Sequence, residues 1–128
     1  MKNSTTKSKT FFAKSITSGT QDTLTIVGFA DDKFESTQFL TLFCRKPISS
    51  TAIANYTVQI DSDDAAASDA FRTICLTNGK LSANIKEESV DLLGYSSITI
   101  SFDKISAREF SELAEMIEAI TGLCPLQK

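Results

Sequence analysis

The chain has 128 residues, 41% of them apolar and 23% charged, which suits one soluble domain with its own core and is too short for two. Its 5 glycines and 2 prolines exclude collagen-like and low-complexity chains, and its composition excludes wholesale disorder. All 16 acidic residues lie at or after Asp22, whereas 4 of the 13 basic residues lie within residues 1–14. Residues 15–128 therefore carry 9 basic and 16 acidic side chains, a net charge of −7 that argues against nucleic-acid binding.

The N-terminal segment is polar and basic. Residues 1–10 lack any periodicity and predict a flexible arm, followed by a single domain over residues 11–128. Lys14 interrupts the apolar stretch before it, so no signal peptide is predicted, and no apolar run approaches the about 20 residues of a membrane span. The 3 cysteines have no Cys-x-x-Cys spacing, which suits a reducing compartment. We therefore expect a cytoplasmic protein.

Strand-like segments follow at short intervals along the chain. They are rich in β-branched and aromatic residues, and most alternate polar with apolar side chains. Asn78-Gly79 separates two of them and predicts a hairpin with a type I′ turn, which needs positive φ at both central residues. The predicted strands cover residues 11–17, 23–29, 38–44, 54–61, 71–76, 81–85 and 97–102.

The periodicity changes towards the C-terminus. Residues 87–93 predict a short helical turn that ends at Gly94. Ser106 and Glu109 form a capping box, and Gly122 suits the residue after a helix, so we predict a helix over residues 107–121. Its buried face is expected to carry Phe110, Leu113, Ala114 and Ile117. The order of elements predicts an α+β fold, an antiparallel meander of six to seven strands with one long C-terminal helix packed on the sheet.

The sequence offers little catalytic chemistry. The chain has no histidine, which removes the commonest general base and the usual Ser or Cys triad. Its glycines are too far apart for a dinucleotide-binding fingerprint, and Ile74 stands where a phosphate-binding loop ending at Gly79-Lys80 would need glycine. We therefore predict that the protein is not an enzyme and needs no cofactor.

The densest cluster of charge is an acidic loop over residues 61–69. A calcium site is not predicted there, because alanines at 65–67 occupy ligand positions and no glycine permits the sharp turn. Two interpretations stay open: a solvated connection between strands, or a patch that binds a protein, with further acids following at 87–91. The residues predicted to bind a partner are Asp61, Asp63, Asp64, Asp69, Glu87, Glu88 and Asp91.

A family resemblance adds to this reading. The strand Tyr56–Asp61, the acidic loop, the hairpin Phe71–Leu81, the strand Ile98–Phe102 and the terminal helix from Ser106 follow one another in that order. In this outline, over residues 23–121, the chain resembles the immunity protein ten family of bacterial polymorphic toxin systems. The resemblance implies a non-enzymatic cytoplasmic inhibitor that binds and neutralises a cognate secreted toxin.

The resemblance and the acidic loop together suggest how such a protein would bind. If the toxin is a basic nuclease, an acidic rim would mimic the phosphates of its substrate. The alternative is a small acidic secretion or folding chaperone, which would expose a large apolar patch on the helix or an edge strand. Neither alternative involves nucleic acid or a membrane as partner, and the sequence does not fix the oligomeric state.

Overall fold

The computed structural model describes residues 7–21, 23–32, 34–35, 37–45, 55–62 and 64–126. They form nine strands and two helices. In chain order these are β1 (Ser8–Ala13), β2 (Ser15–Gln21), β3 (Leu24–Ala30), β4 (Phe39–Arg45), β5 (Tyr56–Ile60), β6 (Ala66–Ser68), β7 (Phe71–Thr77), β8 (Lys80–Ile85), α1 (Glu87–Leu93), β9 (Ser97–Phe102) and α2 (Ala107–Thr121).

The strands form two sheets rather than one meander. The first sheet has the order β1-β9-β8-β7 and the second the order β2-β3-β4-β5-β6. Every pairing is antiparallel except that of β1 with β9, which is parallel. The α+β class is confirmed, but the predicted number of strands was too low. The short strand β6 lies within the acidic loop, and the predicted strand at 11–17 is two strands.

Lys14 separates these two strands. Ala13 pairs with Phe102 in the first sheet, whereas Ser15 pairs with Ala30 in the second. The backbone N–H of Lys14 donates to the carbonyl of Ala30 at 2.9 Å, which fixes the chain where it changes sheets. Corners of this kind, at which one strand leaves a sheet and enters another, join packed sheets. The prediction of a single strand over residues 11–17 was therefore wrong. The chain changes its pairing partner from β9 to β3 at Lys14, and β9 lies far away along the sequence.

Part of the predicted N-terminal arm belongs to a strand. Residues 1–6 lie outside the described part of the chain, but residues 8–10 belong to β1 and pair with β9. Ser8 Oγ and Ser97 Oγ are 2.8 Å apart, so this pairing holds from the first residue of the strand. Lys9, predicted to be an arm residue, is buried.

The hairpin of β7 and β8 is confirmed, but its turn differs from the prediction. Thr77 pairs with Lys80, so Asn78 and Gly79 form a two-residue connection. Gly79 has a φ of 122°, whereas Asn78 does not have positive φ, so the turn is not of type I′. The amide of Asn78 donates to the carbonyl of Ile105 at 2.7 Å and accepts from its N–H at 2.9 Å. This paired contact holds the turn against the connection that leads into α2.

Both predicted helices are confirmed. The predicted C-terminal helix is α2, over the predicted residues, with Ser106 and Glu109 forming the capping box and Gly122 in the left-handed conformation after its end. The predicted helical turn is α1, which ends at Gly94. Within the described residues, no helix is long and apolar enough to cross a membrane.

A single hydrophobic cluster joins the inner faces of both sheets and α2. The rings of Phe29 and Phe102 lie 6.0 Å apart and connect the two sheets. Helix α2 packs against β2, β3 and β4 and contributes four buried residues, Leu113, Ala114, Ile117 and Ile120. The side chains on the opposite face of each sheet are half-buried or exposed.

Candidate functional site

The acidic residues predicted to bind a partner fall into two groups. Asp61 and Asp69 form the first group, whose carboxylates contact other residues of the same chain. The Oδ1 of Asp61 accepts a hydrogen bond from the N–H of Phe39 at 3.0 Å, and its Oδ2 lies 2.8 Å from Lys9 Nζ. Asp61 therefore connects β1 of the first sheet to β4 of the second, and its charge is paired with that of Lys9.

Lys9 is the cation in this contact, and its side chain is only 10% exposed. Its ammonium donates to Gln38 Oε1 at 2.8 Å. It also lies 5.7 Å from the ring centre of Phe11 and 5.8 Å from that of Tyr95, within the range of cation–π attraction. A buried ammonium needs this set of partners to replace the water that it loses. The Lys9–Asp61 pair is therefore a structural ion pair between the sheets.

Asp69 also acts within the fold. Its Oδ1 accepts from the N–H of Tyr56 at 2.9 Å, and its own N–H donates to the carbonyl of Tyr56 at 2.8 Å. The hydroxyl of Tyr56 accepts from the N–H of Phe71 at 3.1 Å. Burial raises the pKa of Tyr56, and the negative charge of Asp69 raises it further. Asp61 and Asp69 have positive φ, 65° and 50°, a conformation that Asp tolerates better than most residues.

The other predicted residues that the structure describes are exposed. Asp63 lies outside the described residues, whereas Asp64 is exposed in the loop before β6. Glu87, Glu88 and Asp91 are exposed on α1, which packs against β6 and so lies beside this loop. We refer to Asp64, Glu87, Glu88, Asp91 and Leu92 together as the acidic corner.

Leu92 is the member of the acidic corner that sequence reasoning missed. It is 60% exposed, although α1 buries Ser89, Val90 and Leu93 on its inner face. Glu88 and Leu92 are four positions apart, and so are Glu87 and Asp91, so the four side chains share the outer face of two helical turns. Protein interfaces commonly combine an apolar centre with a polar rim, and the acidic corner has both kinds of side chain. The available signal was that Leu92 falls off the apolar stripe of α1.

A further acid organises the connection between β3 and β4. The carboxylate of Asp31 accepts from the N–H of Thr37 at 3.0 Å, from its hydroxyl at 2.9 Å and from the N–H of Gln38 at 3.2 Å. Desolvation raises the pKa of Asp31, but the hydrogen bonds, led by that of the Gln38 backbone, outweigh it and the pKa lies below its usual value. The carboxylate of Asp31 thus accepts hydrogen bonds within its own connection. The same connection contains Phe34, which is 85% exposed.

A groove lies on another side of the molecule, between β2, the connection after β9 and the first half of α2. Its volume is about 350 Å³. Ile16 and Leu113 contribute apolar surface, and the charged residues along it are Lys14, Asp103, Lys104, Glu109 and Glu112. Among the described residues, no group of three or more potential ligands could hold a metal ion.

Comparisons with known proteins add no family assignment. No protein-family model matches this sequence, and neither a curated protein nor a solved structure matches it.

Proposed function

We propose that this protein is a non-enzymatic, cytoplasmic immunity protein that binds and neutralises a cognate secreted toxin, with the acidic corner as a main contact. The observation that carries the proposal is Leu92, 60% exposed on the same helix face as Glu87, Glu88 and Asp91. Large exposed apolar side chains within a charged rim are typical of binding surfaces. The resemblance to the immunity protein ten family supplies the class of partner.

The charge of the surface supports a basic toxin. Carboxylates that make no structural ion pair attract a basic partner over several ångströms and raise the rate of association. Asp64, Glu88 and Asp91 lie at the surface, whereas Asp61 and Asp69 are engaged within the fold. For a basic nuclease, the exposed acids would occupy the place of the substrate phosphates.

The test uses the toxin domain encoded by the reading frame next to this gene. We expect the wild-type protein to restore growth of cells that express this domain and to form a complex with it at low salt. Glu88→Lys with Asp91→Lys should slow association about tenfold or more, because attraction becomes repulsion. Leu92→Ala should instead speed dissociation, because it removes the apolar centre.

Glu115→Lys with Glu118→Lys is the matched control, since both residues are exposed acids, three positions apart on α2. It changes the net charge of the protein by the same amount. Equal slowing by the two double variants would show that only net charge matters and would remove the acidic corner from the proposal. A wild-type protein that neither binds the toxin nor restores growth would contradict the immunity function itself.

One observation favours the alternative, a small acidic chaperone. The outer face of the second sheet carries half-buried apolar side chains that are not part of the hydrophobic cluster, namely Leu24, Ile26, Phe39 and Phe43. Ile26 pairs with Phe43, so two of them lie side by side. A chaperone would hold its partner partly unfolded on such a face. A complex in which the partner is folded and inactive favours immunity, whereas a partly unfolded partner favours the chaperone.

A further inference from the structure

Strand β2 is an edge of the second sheet. It pairs with β3 over all seven residues, and no other described strand pairs with its second side. In an antiparallel pair, every second residue of an edge strand directs its N–H and C=O away from the sheet. A row of such groups is a template for another strand.

The sequence of β2 has none of the features that usually protect an edge. It reads Ser-Ile-Thr-Ser-Gly-Thr-Gln, without charge and without proline. The other described edges differ. At β7 the N–H of Leu76 donates to the carbonyl of Pro125 at 2.7 Å, so the segment after α2 covers this edge. Strand β6 has only three residues, and β1 contains the buried Lys9.

The groove of about 350 Å³ lies along this edge. Its origin is the departure of the chain after β9. Strand β9 runs beside β1 until Phe102 reaches Ala13, and the chain then turns away into the connection that leads to α2. Beyond that point β2 continues with β3 on one side and no described strand on the other. The place that an extension of β9 would fill is the groove, between Ser18 on the strand and Leu113 on the helix.

The side chains of the groove define what would fit. Ile16 and Ser18 line it from β2, and Thr20, two residues further on, contacts Met116 of α2 at 3.9 Å. An added strand would thus place every second side chain under α2. There Leu113 offers an apolar surface, and Glu109 and Glu112 offer carboxylates. The two basic residues of the groove, Lys14 and Lys104, lie at its end near the sheet corner.

A second copy of this chain is the less suitable occupant. Pairing of β2 with its copy would place two α2 helices side by side on one face of a continuous sheet. Glu109 and Glu112 of one helix would then approach the same acids of the other, and like charges at close range are unfavourable. Arg108 pairs with Glu112 of its own helix, at 3.4 Å, and this exposed pair offsets little of the charge.

We propose that an extended segment of the toxin adds to the second sheet beside β2, with apolar and basic side chains alternating beneath α2. Backbone hydrogen bonds would supply affinity, and Ile16, Leu113, Glu109 and Glu112 would select the side chains, as in other strand-addition complexes. The proposal rests on the immunity function and names how the partner is held. It adds a second contact to the one at the acidic corner.

The experiment measures amide hydrogen exchange in wild-type protein, alone and bound to the toxin domain from the neighbouring reading frame. We expect exchange in β2 to slow about tenfold or more in the complex, because strand addition gives its outward N–H groups new acceptors. Ser18→Lys, which fills the groove, should weaken binding about tenfold or more. Thr17→Lys is the matched control, because Thr17 lies on the opposite face of the same strand, beside Gly28.

Each outcome separates the two proposals. Neutralisation with unchanged exchange in β2 would overturn strand addition and leave the immunity function standing. If β2 is protected in the free protein and this protection rises with protein concentration, the occupant is a second copy of the chain. This result would also overturn strand addition by the toxin. Absence of binding to the toxin would overturn both proposals. The exchange measurement uses the wild-type chain, so it tests strand addition even if Ser18→Lys fails to fold.

Discussion

Asp61 and Asp91 differ in what their charge does, although both were predicted to bind a partner. Asp61 contacts Lys9 and the backbone of Phe39, so it joins two sheets. Asp91 lies on the outer face of a short helix, beside an exposed leucine. The density of acids along a sequence therefore does not identify a binding surface. The partners that each carboxylate finds in the fold decide its role.

The largest expected effect on stability comes from breaking the ion pair between the sheets. Asp61→Asn keeps the acceptor for the N–H of Phe39 but leaves the ammonium of Lys9 with Gln38 as its remaining hydrogen-bond partner. We expect the free energy of unfolding to fall by about 2–3 kcal/mol, because an unpaired buried charge is costly. Urea denaturation measures the change. Lys9→Met combined with Asp61→Asn should recover much of the loss, and a single variant as stable as wild type would contradict the structural role.

The next effect concerns Asp69. Asp69→Ala removes the acceptor for the N–H of Tyr56 and places alanine at a φ of 50°. We expect a loss of about 1–2 kcal/mol, from the missing hydrogen bond and the strained backbone. Asp69→Asn keeps both the oxygen and the tolerance of positive φ, so it should stay within about 0.5 kcal/mol of wild type. Equal losses for the two variants in urea denaturation would show that the charge matters rather than the hydrogen bond.

A smaller effect should appear only in acid. The pKa of Asp31 is lower in the folded state than its ordinary value of 3.8, so its contribution is fully present above about pH 4. It is lost as the pH falls through the folded pKa, because protonation then weakens the hydrogen bonds from Thr37 and Gln38. Urea midpoints measured from pH 5 to pH 2 should therefore fall more steeply for wild type than for Asp31→Asn. Parallel profiles would contradict this role.

The smallest effect on stability is expected at the acidic corner. Asp64→Asn, Glu88→Gln and Asp91→Asn together should leave the free energy of unfolding within about 0.5 kcal/mol of wild type, because the three side chains are exposed. The same triple variant should associate with the toxin more slowly at low salt. A loss of stability comparable to that of Asp61→Asn would remove the distinction between the two groups of acids.

The sequence predicted those parts of the fold that depend on local signals. The capping box at Ser106 and Glu109 lies within one turn of α2, and Asn78-Gly79 lies within the hairpin that it forms. The division at Lys14 and the parallel pairing of β1 with β9 depend on residues far apart along the chain, so periodicity could not reveal them. The short strand β6 escaped prediction because three residues carry too little pattern.

The candidate site was predicted in part for the same reason. Composition located the acids, and Glu87, Glu88 and Asp91 are exposed in the structure. The engagement of Asp61 could not be foreseen, because Lys9 comes from a segment predicted to be an arm.

The parallel pairing of β1 with β9 also sets an order of events during biosynthesis. As the chain leaves the ribosome, β1 emerges long before β9, and its pairing partner does not yet exist. The second sheet can close on its own sequence neighbours, strand by strand, whereas the first must wait for most of the chain. Until β9 is made, β1 lacks the strand with which it pairs, so the first sheet is completed only after all the residues of the second have been synthesised.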